Sequence, residues 1–304
     1  MDKTFWVYDL ETISNCFIAC FEKLNNSNRH VFVINRERND IIPLLIFLKS
    51  NVENKDWHLG FNNISFDAQI IEFILDNFST LEENDSDYIS SLLCNYADTI
   101  IQRTKNNQFL DYYQNKFRIP VIDIYKMNNW DSAAKRSSLK WIQFSMDWHN
   151  VQEMPYHYLD YVTNDDMLNE VIEYCINDVS STKAIFKHVE NKKKVMIEQI
   201  KLRSELSTTY KINLYSASEP KISKEVFLHF LEKKLNIPKK IIKEYRTFRD
   251  KVVIKDIILP EIKFDTYQFK AVLNWFNNLV VDTKVIEGDD DKIKGPSYTM
   301  NYNN

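Results

Sequence analysis

Phe5-Trp6-Val7-Tyr8-Asp9-Leu10-Glu11-Thr12 is an apolar run that ends by setting two carboxylates two positions apart. Read as a β-strand, it projects residues i and i+2 from one face, so Asp9 and Glu11 stand side by side. Two such carboxylates repel each other unless a cation lies between them. Hard oxygen donors of this kind suit Mg²⁺ or Mn²⁺ rather than zinc or copper. The same Asp-x-Glu pattern also fits a solvated turn at a strand end, and taken alone the stretch leaves both readings open.

Two further stretches bear on the choice. In Leu59-Gly60-Phe61-Asn62-Asn63-Ile64-Ser65-Phe66-Asp67 the last residue opens a segment of helical apolar spacing, Ala68 to Leu75. A carboxylate there is also an ordinary helix N-terminal group. In Val171-Ile172-Glu173-Tyr174-Cys175-Ile176-Asn177-Asp178-Val179 a longer helical pattern sets Tyr174 and Asp178 four residues apart on one face.

Together and in this order, the three stretches resemble the exonuclease motifs of the DEDD superfamily of 3′-to-5′ exonucleases, in the subclass with Tyr in the third motif. Asp9-Leu10-Glu11-Thr12 matches the first motif, Asn62 or Asn63 through Phe66-Asp67 the second, and Tyr174-x-x-x-Asp178 the third. The nearest likeness is to the N-terminal proofreading domain of phage family B DNA polymerases, over roughly residues 1–190. The resemblance implies two divalent cations, Mg²⁺ or Mn²⁺. Asp9, Glu11 and Asp178 would hold one, and Asp9 would bridge to a second that Asp67 helps to position. It implies that Tyr174 orients the attacking water, since a phenol with a pKa near 10 is too weak an acid to be the base at neutral pH. Leu10, Thr12, Asn62, Asn63 and Phe66 become the substrate-side candidates. Phe66 would stack on a terminal base or else pack in the core, and Asn62 and Asn63 are equally placed by spacing.

Composition bounds the remaining possibilities. The 304 residues are 44% hydrophobic and 27% charged, which describes an ordinary folded protein rather than a disordered one. No apolar run is long enough to span a bilayer, and Asp9 and Glu11 break the N-terminal apolar run before it could serve as a signal peptide. A cytoplasmic protein without membrane attachment is expected, in the host cytoplasm if the chain is phage-encoded. Cys16, Cys20, Cys94 and Cys175 lie in apolar segments without metal-ligand spacing, so buried free thiols are expected. The glycines, Gly60, Gly288 and Gly295, are too sparse for a phosphate loop or a dinucleotide fingerprint.

In chain order, strands are expected at Thr4 to Leu10, Cys16 to Glu22 and Arg29 to Asn35, joined by short polar connections that suit antiparallel hairpins. A helix from Asp40 to Ser50, a strand near Trp57 to Phe61 and the helix carrying Asp67 follow. This order is that of the ribonuclease H-like fold, an α/β mixed sheet flanked by helices. A polar helical insertion fills 78–118, with Ile89, Leu92, Leu93, Tyr96, Ile100 and Ile101 at helical spacing. Pro120 to Tyr125 reads as a fifth strand, with Asp123 either approaching the site or capping the strand end. Ser137-Ser138-Leu139-Lys140 opens a capped helix resembling a Ser-Leu-Lys segment of phage polymerases. Lys140 there either reaches a phosphate or is solvated. Thr163 to Asp166 supplies the N-terminal cap of the helix with the third motif, and Asp165 and Asp166 read as first-turn carboxylates.

The domains expected are an exonuclease domain over 1–190 and a basic, mainly helical extension over 191–304 with an irregular tail. From Lys187 to Lys255 there are 18 Lys and Arg against 8 Asp and Glu, although the whole chain carries −4. Such a segment suits contact with phosphates or is a set of solvated helix faces. Leu214 to Lys221 resembles phage polymerase sequence just beyond the exonuclease domain. The polymerase palm motifs do not occur in the chain, so a polymerase domain in cis or in trans is the implied partner, and single-stranded DNA 3′ ends are the implied substrate. An RNA-directed exonuclease of the same superfamily and a non-catalytic nucleic-acid-binding or polymerase-tethering module are the alternatives.

Overall fold

Alternation along the first strand, β1 (Phe5–Ile13), determines where the rest of the chain packs. Its even-numbered Trp6, Tyr8 and Leu10 are buried in one apolar core, while odd-numbered Val7 and Ile13 are buried in a second core on the other face. A strand covered on both faces must be central. The structure is a computed structural model that describes residues 4–132, 136–190, 193–245 and 251–282. In it β1 is the third strand of a five-stranded mixed sheet of order β3-β2-β1-β4-β5.

The antiparallel half forms as two hairpins, β1 with β2 (Cys16–Lys23) and β2 with β3 (Arg29–Ile34). The parallel half adds β4 (Trp57–Gly60) beside β1 and β5 (Val121–Asp123) beside β4. Between them α1 (Ile41–Asn54) buries Ile41, Leu44, Leu45 and Leu48, a one-sided stripe at helical spacing. It ends where Lys55 takes a left-handed conformation, φ 56°, and returns its N–H to the last turn. Helices α2 (Asp67–Asp76), α3 (Phe78–Glu83) and α4 (Ser86–Lys105) complete the core on the even face of β1. In α4 the residues Ile89, Leu93, Tyr96, Ala97 and Ile100 are buried, so this segment packs as a core helix.

Helix α5 (Ile124–Met127) follows β5 directly, and α6 (Leu139–Ser145) and α7 (Asp165–Lys187) follow in turn. The long α7 covers the odd face of β1 with Val171, Cys175 and Val179. A buried ionic knot ties it to β2: the Lys183 ammonium meets Glu22, whose other oxygen accepts from Arg29 at 2.5 Å. Removing one member of such a cluster leaves an uncompensated charge indoors.

Two sequence expectations are corrected here. Strand β1 runs on to Ile13 rather than stopping at Leu10, because Glu11 and Thr12 keep pairing with Ile18 and Phe17 of β2. The fifth strand stops at Asp123 rather than Tyr125, because the Asp123 side chain accepts from the N–H groups of Tyr125 and Lys126 and starts a helix.

By internal packing the chain forms two compact units, Met1–Phe230 and Leu231–Asn304, so α8 (Val195–Tyr210) and most of α9 (Glu219–Leu235) pack with the sheet-bearing unit. Arg203 of α8 is buried and reaches three segments, donating to the carbonyls of Ala217, Gln199 and Met127 at 3.0, 3.2 and 3.3 Å. The second unit holds α10 (Lys239–Glu244), α11 (Tyr267–Asn277) and a ribbon pairing Lys251–Val253 with Val280–Asp282. Arg246 and Arg249 of the basic segment, and the tail from Gly288 to Asn304, lie outside the described residues. Among the described residues no helix is long and apolar enough to cross a membrane.

Candidate active site

The ladder between β1 and β4 extends only to the pair Val7 and Leu59. Beyond it the strands part, and a cleft of about 450 Å³ opens at the carboxyl ends of β1 and β4. Asp9, Glu11, Asp67, Tyr174 and Asp178 all line it, together with Leu10, Asn62 and Phe66. Residues from three stretches that lie far apart in the sequence thus meet in one place.

The local reasons are simple. Asp9 and Glu11 share the odd face of β1 with Val7 and Ile13, the face that packs against α7, so they point at Tyr174, Cys175 and Asp178. One carboxylate oxygen from each of Asp9 and Glu11 and the Cys175 sulphur lie within 4.8 Å of one another. Asp67, in the first turn of α2, reaches back to β1 and accepts from the Leu10 N–H at 3.2 Å. Asp178 lies one helical turn beyond Tyr174. It accepts from the Lys140 ammonium at 2.5 and 2.7 Å and from the Gln143 amide at 2.9 Å. The same ammonium stands 4.2 Å from the centre of the Tyr174 ring.

This arrangement is electrostatically costly. Burial, reinforced by Glu11, Asp67 and Asp178, holds the Asp9 carboxyl well above the ordinary carboxylate range. Glu11 is pushed up to about 8 by burial and by Asp178 and Asp67. Asp67 is pushed up to about 7 by burial, against the pull of backbone N–H groups including that of Leu10. Burial and the nearby carboxylates raise the Tyr174 phenol, so it stays protonated at neutral pH. Lys140 is the cation that opposes the charge of Asp9 and Glu11, and it is bound to Asp178. Among the described residues the donors close enough together to hold a metal ion are Asp9, Glu11 and the Cys175 thiol, and Asp67 and Asp178 line the same cleft; carboxylates are hard oxygen donors of the kind that suits Mg²⁺ or Mn²⁺.

The remaining sequence candidates separate. Asn62 lines the cleft, in a left-handed conformation with φ 59° that asparagine tolerates. Asn63 is fully buried, and its amide donates to the Ile122 carbonyl at 3.4 Å. Phe66 faces the cleft and also packs against the core. Thr12 is buried opposite Phe17 and is not in the cleft lining. Asp165 and Asp166 occupy the first turn of α7 behind the cap Asn164, whose side chain accepts from the Met167 N–H.

Gln143 and Gly60 act on the site without having been placed there by sequence reasoning, and Asp123, read as either approaching the site or capping the strand end, acts on it through the cap. Asp123, fully buried at the end of β5, holds the loop from Asn62 to Ile64. One of its oxygens accepts from the N–H of Asn62 at 3.0 Å and the other from that of Ile64 at 3.3 Å. Burial pushes its carboxyl up to about 6. Gln143, also fully buried, bridges Asp178 and Ser181 and so fixes the Asp178 rotamer. Gly60 lets the chain turn closely after β4, since a Cβ there would stand 2.9 Å from the Asn63 side chain. The only sequence signal for Asp123 was an acidic residue at a strand end, and for Gln143 its place three residues after Lys140.

The chain is matched by no protein-family model, no curated protein and no solved structure.

Proposed function

We propose that the protein is a metal-dependent 3′-to-5′ exonuclease of ribonuclease H-like fold that releases nucleoside monophosphates from single-stranded or frayed DNA ends. The observation that carries this reading is the convergence of Asp9, Glu11, Asp67 and Asp178 with Tyr174 on one cleft. Convergence of this kind is not what solvated turns and helix caps, scattered independently through the sequence, would produce.

Asp9, Glu11 and Asp178 are the residues that would hold one divalent cation, with Asp67 beside Asp9 for a second. Such a pair, when bound, lowers the pKa of an attacking water and stabilises the leaving 3′ oxygen of an in-line displacement at phosphorus. The chain's own residues supply the positioning. Tyr174 keeps its proton and offers a hydroxyl that orients the nucleophile rather than removing its proton. Lys140, seated on Asp178, is within reach of a phosphate brought to that carboxylate, where its ammonium offsets developing negative charge. Gln143 holds Asp178 in place.

The role that follows is proofreading beside a polymerase active site, supplied in cis or in trans. The test is stepwise shortening of 3′-terminal single-stranded DNA and of matched RNA by the wild type and Asp9→Ala, each in Mg²⁺, Mn²⁺ and EDTA. Shortening that needs both metal and Asp9 is expected, with single-strand binding retained by the variant. Faster shortening of RNA would reassign the substrate, and Asp9→Ala cleavage at the wild-type rate would end the proposal. Binding without any cleavage would leave the tethering module.

A further inference from the structure

A second groove, of about 400 Å³, adjoins the cleft and shares Asn62, Phe66, Tyr125 and Arg136 with it. Its outer wall is the last turn of α4, which contributes Ile101, Thr104 and Lys105. Its other cation is Lys126 of α5, and the single carboxylate among the described residues lining it is Asp131. Lys105, Lys126 and Arg136 have no carboxylate within ion-pairing distance among the described residues, in contrast with Lys140, although the Lys126 ammonium acts at longer range on the Asp123 carboxyl. The groove therefore pairs two half-buried aromatic rings, Phe66 and Tyr125, with three cations that hold no ion pair among the described residues, on a protein of net charge −4.

We infer that this groove is the track for the retained single strand, the nucleotides on the 5′ side of the scissile phosphate. Aromatic faces interleaved with cations suit an unpaired strand, because every base offers a surface to stack on and every phosphate a charge to neutralise. A folded acidic partner would satisfy the cations but would have no use for rings that open into the catalytic cleft. A small anion would need neither ring. Continuity with the cleft gives the direction: a strand whose last phosphate lies at the carboxylates leaves across Phe66 and Tyr125 toward Lys105. The α4 helix, which sequence analysis read as an insertion, thereby gains a substrate-facing end. The inference rests on the exonuclease reading for its polarity, while the binding itself can be measured independently of cleavage.

The experiment is fluorescence anisotropy in EDTA with a 5′-labelled thymidine octamer and a labelled thymidine dinucleotide, for the wild type and for Lys105→Ala/Lys126→Ala. The double variant is expected to bind the octamer roughly tenfold more weakly at low salt. Its salt slope should be lower by about 1.4, at about 0.7 per phosphate contact on a single strand. The dinucleotide, too short to reach α4, should lose far less. An equal loss for both lengths would make this the pocket of the terminal nucleotide, and no loss for the octamer would remove the groove from the binding surface; either overturns the inference. Tyr125→Leu, which keeps an apolar side chain, serves as the second variant and should weaken the octamer selectively. Length-dependent binding without metal-dependent cleavage would leave the groove standing and the exonuclease reading refuted, whereas cleavage without length dependence would do the reverse.

Discussion

Replacing Glu11 by Gln should make the metal-free protein more stable. Glu11 is half-buried among three other carboxylates, and its pKa moves from an ordinary 4.5 to about 8. A folded-state value above the unfolded one means that the folded chain holds a proton the unfolded chain releases. The contribution is therefore fully present below pH 4.5 and falls away as pH rises toward about 8. At about 1.4 kcal/mol per pH unit the whole interval corresponds to roughly 5 kcal/mol. The part felt at neutral pH, reduced by partial exposure to water, is about 2 kcal/mol. Gln keeps the shape and cannot ionise. For a chain of this size the gain corresponds to roughly 3 °C in Tm. The assay is thermal unfolding by circular dichroism in EDTA across pH 5 to 8. The wild type should lose stability steadily with rising pH, and Glu11→Gln should start higher at neutral pH with a shallower slope. If the variant melts at or below the wild type with the same slope, the four carboxyl groups are not in mutual conflict and the case for a cation site loses its physical basis.

Asp123→Ala should cost roughly 3 kcal/mol, because four partly buried N–H groups, those of Asn62, Ile64, Tyr125 and Lys126, lose their acceptor. A urea midpoint well below that of the wild type would show it, and an unchanged midpoint would mean that the loop is held by other means. His58 is fully buried, 2.9 Å from the Asn51 amide and against the Tyr8 and Phe21 rings, and burial depresses it from 6.5 to about 3. Its contribution is present above pH 6.5 and is lost as pH falls toward 3, by roughly 3 kcal/mol at about pH 4. His58→Gln should accordingly lose less stability than the wild type between neutral pH and pH 4, and parallel urea midpoints for the two would refute this.

How much of this was legible in the sequence depended on whether the information was periodic. The alternation of β1, the stripe of α1 and the spacing of Tyr174 and Asp178 are local repeats, and each folds as its period dictates. The two antiparallel hairpins followed from the short polar connections between the first three strands. What stayed hidden was set by partners distant in the chain. Asp123 acquires its role only because β5 lies parallel to β4, which brings the Asn62 loop over its carboxylate. Lys140 finds Asp178 across the gap between α6 and α7, which no spacing rule reports. The choice between Asn62 and Asn63 turned on a single backbone conformation at Asn62 that side-chain chemistry permits but does not announce.

The bond from the Leu10 N–H to Asp67 makes these carboxylates unequal in the face of mutation. Asp67 supplies an acceptor where β1 has outrun its neighbour, so the fold itself has a use for it. Asp9 and Glu11 burden the fold, and Lys140 offsets only part of that cost. In a lineage that kept the scaffold but abandoned the chemistry, drift would erase Asp9 and Glu11 early, each loss being a gain in stability, and would spare Asp67.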